Sequence, residues 1–517
     1  MTTQVEQVPA TVTIGDAVLT PQDVVAIARH DAAVALSDAA SERIARSRRV
    51  IEELARDARP HYGVSTGFGA LATQHIPPAR RIELQRSLVR SHAASSGPEV
   101  EREVVRATMV LRLATLATGR TGVSARVAET YVELLNAGIT PVVGEYGSLG
   151  CSGDLAPLAH CALAAMGEGD VRVGTAEAPG ELTTAAAALA AAGITPILLH
   201  EKEGLALING TDGMLGMLCL ALADLDQLMV TADIAAAMSV EGLAGTDAVF
   251  AADIQSLRPH RGQAESAANI RAALAGSPVV RAHQEAGFTR VQDAYSLRCA
   301  PQVHGAARDT IAHADTVARI ELGSAIDNPV VLPDGRVESN GNFHGAPLGY
   351  VLDFLAIAVA DVASMSERRT DRFLDRSRNG GLHAFLAADP GVDSGHMIAQ
   401  YTQAAIVSEL KRLAVPASVD SIPTSAMQED HVSMGWSAGR KLRRSIDGLT
   451  RVLAIEILTA ARGIEMRGEG SAPATGRVLE LLRHRVPAAG PDRYLAPEIA
   501  AAVDLVAEGT LVKGLYA

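Results

Sequence analysis

Apolar residues recur at steps of three and four along most of the chain, the spacing of helices that bury one face. Leu442, Ile446, Leu449, Leu453 and Ile457 form one such stripe, with Lys441, Arg443, Arg444 and Asp447 on much of the opposite side. They predict an amphipathic helix over 442–457. The stretch 350–365, YVLDFLAIAVADVASM, is apolar nearly all round and predicts a helix enclosed in a bundle. Similar patterns cover 311–322 and 397–413. Strand patterns are few and short: TVTIGDAVL at 11–19, and NPVVLPDGRVES at 328–339, where Asp334-Gly335 suits a hairpin turn. Ala and Leu outnumber β-branched residues, which favours helix throughout.

Glycine and proline punctuate three places. GEYGSLGCSGDLAP (144–157) holds four glycines before its closing proline. GEGDVRVGTAEAPG (167–180) reads as an exposed loop or boundary, and GEGSAPATG (468–476) separates a long helix from a C-terminal tail. The tract AAAALAAA (185–192) reads as Ala-rich helix, and no repeat of fixed period is present. The expected fold class is therefore mainly α. A smaller mixed N-terminal domain covers 1–235, followed over 236–517 by a large helical bundle and a helical tail.

Composition narrows the functions open to such a chain. The 517 residues carry a formal net charge of −13, which argues against nucleic acid or an anionic membrane surface as the main partner. Four cysteines, Cys151, Cys161, Cys219 and Cys299, show no CxxC or framework spacing and read as reduced thiols of a cytoplasmic protein. The N-terminal residues lack the pattern of a signal peptide. Asp224 and Asp353 interrupt the apolar runs short of a membrane span of about 20 residues. Aromatic residues are scarce, at 3%.

Familiar catalytic motifs are weak or missing. Residues 67–72 fit GxGxxA but follow no hydrophobic strand, and no P-loop or HExxH occurs. The fifteen histidines lack ligand spacing, so no metal site is expected. Ser152 misses the GxSxG elbow by one residue. Cys151-Ser152-Gly153 nevertheless has a chemistry of its own. Without a Cβ, Gly153 lets its nitrogen approach the Cys151 carbonyl and close a five-membered ring. Loss of water from the ring and from Ser152 then leaves an exocyclic methylidene, a carbon electrophile made from the chain itself. A glycine-rich turn capping a helix that starts near Asp154 is the plainer reading of these three residues alone.

The surrounding residues favour the first reading. GSLGCSGDLAPLAH (147–160) resembles the prosthetic-group segment of the aromatic amino acid ammonia-lyases, which form 4-methylidene-imidazol-5-one (MIO) from Ala-Ser-Gly. Here Cys151 stands at the Ala position. The likeness continues in order through YGVSTGFG (62–69), RSHAA (90–94), EGLALINGT (203–211), QDAYSLRCAPQ (292–302), GNFHG (341–345) and TSAMQEDHVSM (424–434), and spans about 10–510. Within the family the chain is similar to the branch acting on histidine. Glu429 in Gln428-Glu429-Asp430-His431 stands where relatives acting on phenylalanine or tyrosine typically carry Asn, and Ser91-His92 also matches. A carboxylate suits an imidazole, and would lie unpaired beside a phenyl ring.

The resemblance implies elimination of ammonia from L-histidine to give trans-urocanate, the opening step of histidine breakdown. A tyrosine or phenylalanine lyase, or an aminomutase, is the alternative. Cys151, Ser152 and Gly153 would form MIO, and no diffusible cofactor is implied. Tyr62 would remove the β-proton. Its ordinary pKa of about 10 calls for help near neutrality. Glu429 would polarise the imidazole, with Gln428 beside it. Arg298 would clamp the carboxylate through its planar fork, and Asn209 would orient the MIO carbonyl and the amino acid. Gln292 and Tyr295, three apart and so on one side of a helical turn, would hydrogen-bond substrate or MIO. Phe343 would pack on the MIO ring and His92 would contact the imidazole, while Trp436 is assigned to packing. The family also implies a homotetramer with active sites shared between subunits.

Overall fold

Three long helices, Asp212–Gly242, Ala346–Leu374 and Gly435–Arg467, pack on one another and, with Ala300–Leu322, make the centre of a bundle. The computed structural model describes residues 9–57, 59–178, 180–285 and 291–514. The stripe at 442–457 is the middle of Gly435–Arg467, whose Leu442, Leu449, Leu453 and Ile457 are fully buried. The pattern at 397–413 coincides with Met397–Leu413, and that at 311–322 is the last half of Ala300–Leu322.

The helix read as enclosed, within Ala346–Leu374, keeps one face open: Tyr350, Phe354 and Ile357 are 52%, 46% and 46% exposed. Both Asp212–Gly242 and Ala346–Leu374 belong to segments long and apolar enough to cross a membrane, but much of each lies inside the protein. Their acidic interruptions are paired. Asp224 accepts from Arg29 at 2.6 Å and Arg443 at 2.9 Å, and Asp353 accepts from Lys441 at 2.6 Å and from the Ser418 amide at 2.7 Å. Deeper still, Arg369 and Glu456, both without solvent exposure, form a two-point pair across two core helices. Breaking such a pair from one side costs about 3–5 kcal/mol.

The strands lie mostly in the N-terminal half. Thr11–Ile14 runs parallel to Ala33–Leu36, with Thr11 opposite Ala33. Val330–Val331 and Val337–Glu338 form the hairpin expected around Asp334-Gly335. The segment 167–180, read as a loop, contains the strand Asp170–Val173. This strand lies between Ile139–Pro141 and Glu181–Thr184 in an antiparallel sheet. Only Val171 of that short strand is buried, too little for an alternation to stand out. The boundary expected at 235 falls inside Asp212–Gly242, so one helix runs from the mixed half into the bundle.

The helix ends carry the motifs. Asp154 precedes Leu155–Ala165, Asn209 ends Glu203–Ile208, Gly345 precedes Ala346–Leu374, and 424–434 leads into Gly435–Arg467. Segments far apart in the chain thus meet at one end of the bundle.

Candidate active site

The loop 147–154 is held from several sides. Gly153 has φ +74°, and a Cβ there would sit 2.0 Å from the Gly210 carbonyl oxygen, so the position admits only glycine. The Asp154 amide donates to that same oxygen at 2.7 Å. Asn209 donates through Nδ2 to the Ser152 carbonyl at 2.8 Å, and its Oδ1 has no hydrogen-bond partner among the described residues. On the far side, the Gly150 carbonyl accepts from Ser433 Oγ at 2.7 Å and from the Gly345 amide at 2.9 Å, and the Met434 amide donates to Leu149 at 2.9 Å. Trp436, assigned to packing, is buried and donates to the Glu145 carbonyl at 2.7 Å.

Two groups that sequence reasoning passed over anchor this arrangement. Asp154, noted only as a helix cap, accepts from Ser148 Oγ at 2.7 Å and from the Gly213 and Met214 amides at 2.9 Å. Burial pushes its carboxyl up to about 7 despite these donors. Arg112, fully buried, donates to the carbonyls of Asn209 at 2.9 Å and Ile326 at 2.9 Å. Asp154 follows directly on Ser152-Gly153, which was a usable signal. Arg112 lies 97 residues from Asn209 in an ordinary helical pattern and offered none.

Tyr62 and Glu429 face the same space. The Tyr62 hydroxyl accepts from the Gly69 amide at 3.3 Å, and a Cβ on Gly69 would lie 4.0 Å from Glu429 Oε1. Burial raises the Tyr62 pKa; the Gly69 amide opposes that rise, while the charges of Glu429 and Asp327 add to it. Glu429 Oε2 is buried without a hydrogen-bond partner among the described residues. Its loop turns tightly: Ser425, Ala426 and Met427 have φ of +55°, +54° and +71°, a region that side chains disfavour, and the Thr424 amide donates to the Glu429 carbonyl. Strain of this kind concentrates where a side chain must be presented in one direction. Gln428 is exposed.

His92 ends the helix Arg81–His92, with Nδ1 2.9 Å from the Leu88 carbonyl. Burial lowers its pKa, and the bond to the Leu88 carbonyl and the Glu429 charge act in the opposite sense. Burial likewise raises the Cys151 thiol. Phe343 is half-buried, next to His344, which stacks on His431 with ring centroids 5.3 Å apart. Tyr62, His92, Cys151-Ser152-Gly153, Asn209 and Glu429 are thus linked by contacts or by charge.

Among the described residues, no hydrogen bond, ion pair or ring contact joins Tyr295, Arg298 or Gln292 to that group. Arg298 packs over the Tyr295 ring at 4.7 Å, Tyr295 is 69% exposed, and the Arg298 Nε is buried without a hydrogen-bond partner among the described residues. Gln292 does not share a helical turn with Tyr295. The helix Tyr295–Arg298 begins only after Ala294, whose extended backbone (φ −63°, ψ 155°) interrupts it, and Gln292 is exposed. A cavity of about 900 Å³ lined by Asp226, Arg308, Asp315 and Arg319 contains none of these residues.

Helix ends of the bundle thus converge on a serine-glycine turn, a tyrosine and a carboxylate with an unpartnered oxygen among the described residues, an arrangement suited to an enzyme's active site. Residues 19–484 match the model of the aromatic amino acid lyase family, and the chain belongs to that family. It is 63% identical over 505 residues to a histidine ammonia-lyase of Streptomyces avermitilis, covering 97% of this chain and 98% of that one. Its fold matches the crystal structure of histidine ammonia-lyase from Trypanosoma cruzi with a TM-score of 0.89 at 38% identity, over 98% and 95% of the two chains. A tyrosine aminomutase from Streptomyces globisporus superposes with a TM-score of 0.91 at 37% identity, over 97% and 98%.

Proposed function

We infer that this protein is a carbon–nitrogen lyase that eliminates ammonia from L-histidine to give trans-urocanate. The observation that carries the substrate is Glu429, a carboxylate whose Oε1 lies near Gly69 in the Tyr62 turn and whose Oε2 is buried without a hydrogen-bond partner among the described residues. An imidazole N–H satisfies that oxygen; a phenyl ring leaves it desolvated and unpaired. The full-length likeness to histidine ammonia-lyases supports the same substrate.

The residues at 151–153 fit an MIO group. Gly153, at φ +74° and with no room for a Cβ, has the backbone freedom that ring closure needs, and Asn209 already holds the Ser152 carbonyl. Once formed, the group supplies a carbon electrophile that makes the substrate amine a better leaving group. Tyr62 takes the β-proton on its phenolic oxygen, while the Gly69 amide donates to that oxygen and stabilises the phenolate. Glu429 holds the imidazole and draws positive charge onto it, which acidifies the β-carbon.

Arg298 binds the carboxylate with Tyr295 and Gln292 alongside, contributed by a neighbouring subunit. The exposure of Tyr295 and the open apolar face at Tyr350, Phe354 and Ile357 support a homotetramer with shared sites. Four free thiols fit a reducing cytoplasm.

Replacing Glu429 by Gln, with histidine and tyrosine as competing substrates, tests the substrate assignment. Histidine turnover should fall by about 10²-fold or more, the scale of one lost charged contact. Unchanged histidine turnover would show that Glu429 does not select the substrate, and tyrosine turnover in the unaltered protein would favour a tyrosine or phenylalanine lyase or an aminomutase.

A further inference from the structure

Lys202 and Asp327 form an ion pair at 2.5 Å with neither side chain exposed to solvent, 125 residues apart in the chain. Buried pairs of this kind seldom add stability over apolar packing, so their placement calls for another reason. Lys202 immediately precedes the helix Glu203–Ile208, which ends at Asn209. The Asp327 carbonyl accepts from Asn340 Nδ2 at 3.0 Å, and Asn340 in turn accepts from the Asn342 amide at 2.9 Å, next to Phe343. Between the two anchored segments lies Gly63, beside Tyr62. A Cβ on Gly63 would come within 3.1 Å of Leu205 on one side and 3.2 Å of Pro329 on the other.

We propose that the Lys202–Asp327 pair is a positioning element for Tyr62, clamping Gly63 between Leu205 and Pro329 and fixing one anion behind the phenol. The proposal deepens the assignment of Tyr62 as the base and rests on that reading. The charges acting on Tyr62 are Glu429 and Asp327, both in the direction of a higher pKa. Lys202 and Arg112 stand behind Asp327 and offset it, and Arg112 also pairs with Asp212 at 3.5 Å. Burial alone raises the Asp327 carboxyl and lowers the Lys202 ammonium, and their mutual attraction opposes both shifts. The pair therefore supports, at 2.5 Å, the one buried carboxylate besides Glu429 whose charge acts on Tyr62.

Asp327→Asn removes the anion and retains an acceptor for the Asn328 amide, which donates to Oδ1 at 2.8 Å. The double variant Lys202→Met/Asp327→Asn removes both buried charges and guards against misfolding of the single variant. Tyr62 ionisation is read directly as phenolate absorbance, by difference from the corresponding Tyr62→Phe protein. In both variants the Tyr62 titration should move to lower pH by about half a unit to one unit. An unmoved titration in folded protein would overturn the proposal, whatever stability was lost. The readout does not depend on turnover. If Tyr62→Phe kept full activity, the assignment of Tyr62 as base would fail while the shift could still be observed.

Discussion

At the scale of single residues, the chemistry turns on two oxygens that the protein leaves poorly satisfied. Among the described residues, Glu429 Oε2 lacks a hydrogen-bond partner and the Tyr62 hydroxyl accepts only from the Gly69 amide, at 3.3 Å. For Glu429 Oε2 this is a cost to the fold, since a buried unpaired oxygen loses about 1–3 kcal/mol of solvation. The Tyr62 phenol is held above its ordinary pKa by burial, with Glu429 and Asp327 adding to the effect. Its phenolate fraction therefore grows as pH rises through the alkaline range, and kcat/KM should climb with pH. Tyr62→Phe should lower kcat by about 10²–10⁴-fold, the usual worth of a positioned general base, and abolish that limb. A variant with an undiminished rate and an unchanged profile would show that another group takes the proton.

At the scale of elements, the site exists because helix ends meet. The turn 150–153 is pinned to Gly210, Ser433, Gly345 and Asn209, which come from three other segments. Gly153→Ala should break this arrangement, because its Cβ would overlap the Gly210 carbonyl and φ +74° strains any side chain. A loss of about 1–3 kcal/mol in denaturant unfolding is expected from the strain, with more from the overlap. Equal stability would mean that the turn adapts and is not rigid.

The helices of this scaffold were legible in the sequence because an apolar stripe repeats over many turns, as from Leu442 to Ile457. The strand Asp170–Val173 was not, because four residues with one buried valine carry too little pattern. The site was legible where a motif is contiguous, as at 147–160 and 424–434. Arg112 and the Lys202–Asp327 pair were not. They act through partners 97 and 125 residues away, and periodicity records only which face is buried, not what meets it.

At the scale of the whole molecule, aliphatic side chains build the bundle, and several of the few aromatics serve its end. The core helices pack through Ala, Leu, Val and Ile, with Phe250, Phe373 and Tyr131 as large exceptions. Tyr62, Phe68 and Phe343 sit half-buried in the motif segments, and Trp436 fixes the loop from behind. Tyr295 and the face of Tyr350 and Phe354 are left exposed. The proposed chemistry joins these parts: an electrophile made at Ser152 would act on histidine held by Glu429. Absorbance of the product formed by the full-length protein from L-histidine tests it most directly, with Ser152→Ala alongside. The unaltered protein should form trans-urocanate, and a Ser152→Ala protein that remains folded should form none. Urocanate production at an undiminished rate by Ser152→Ala, or cinnamate and coumarate formed from phenylalanine and tyrosine with histidine left untouched, would contradict it.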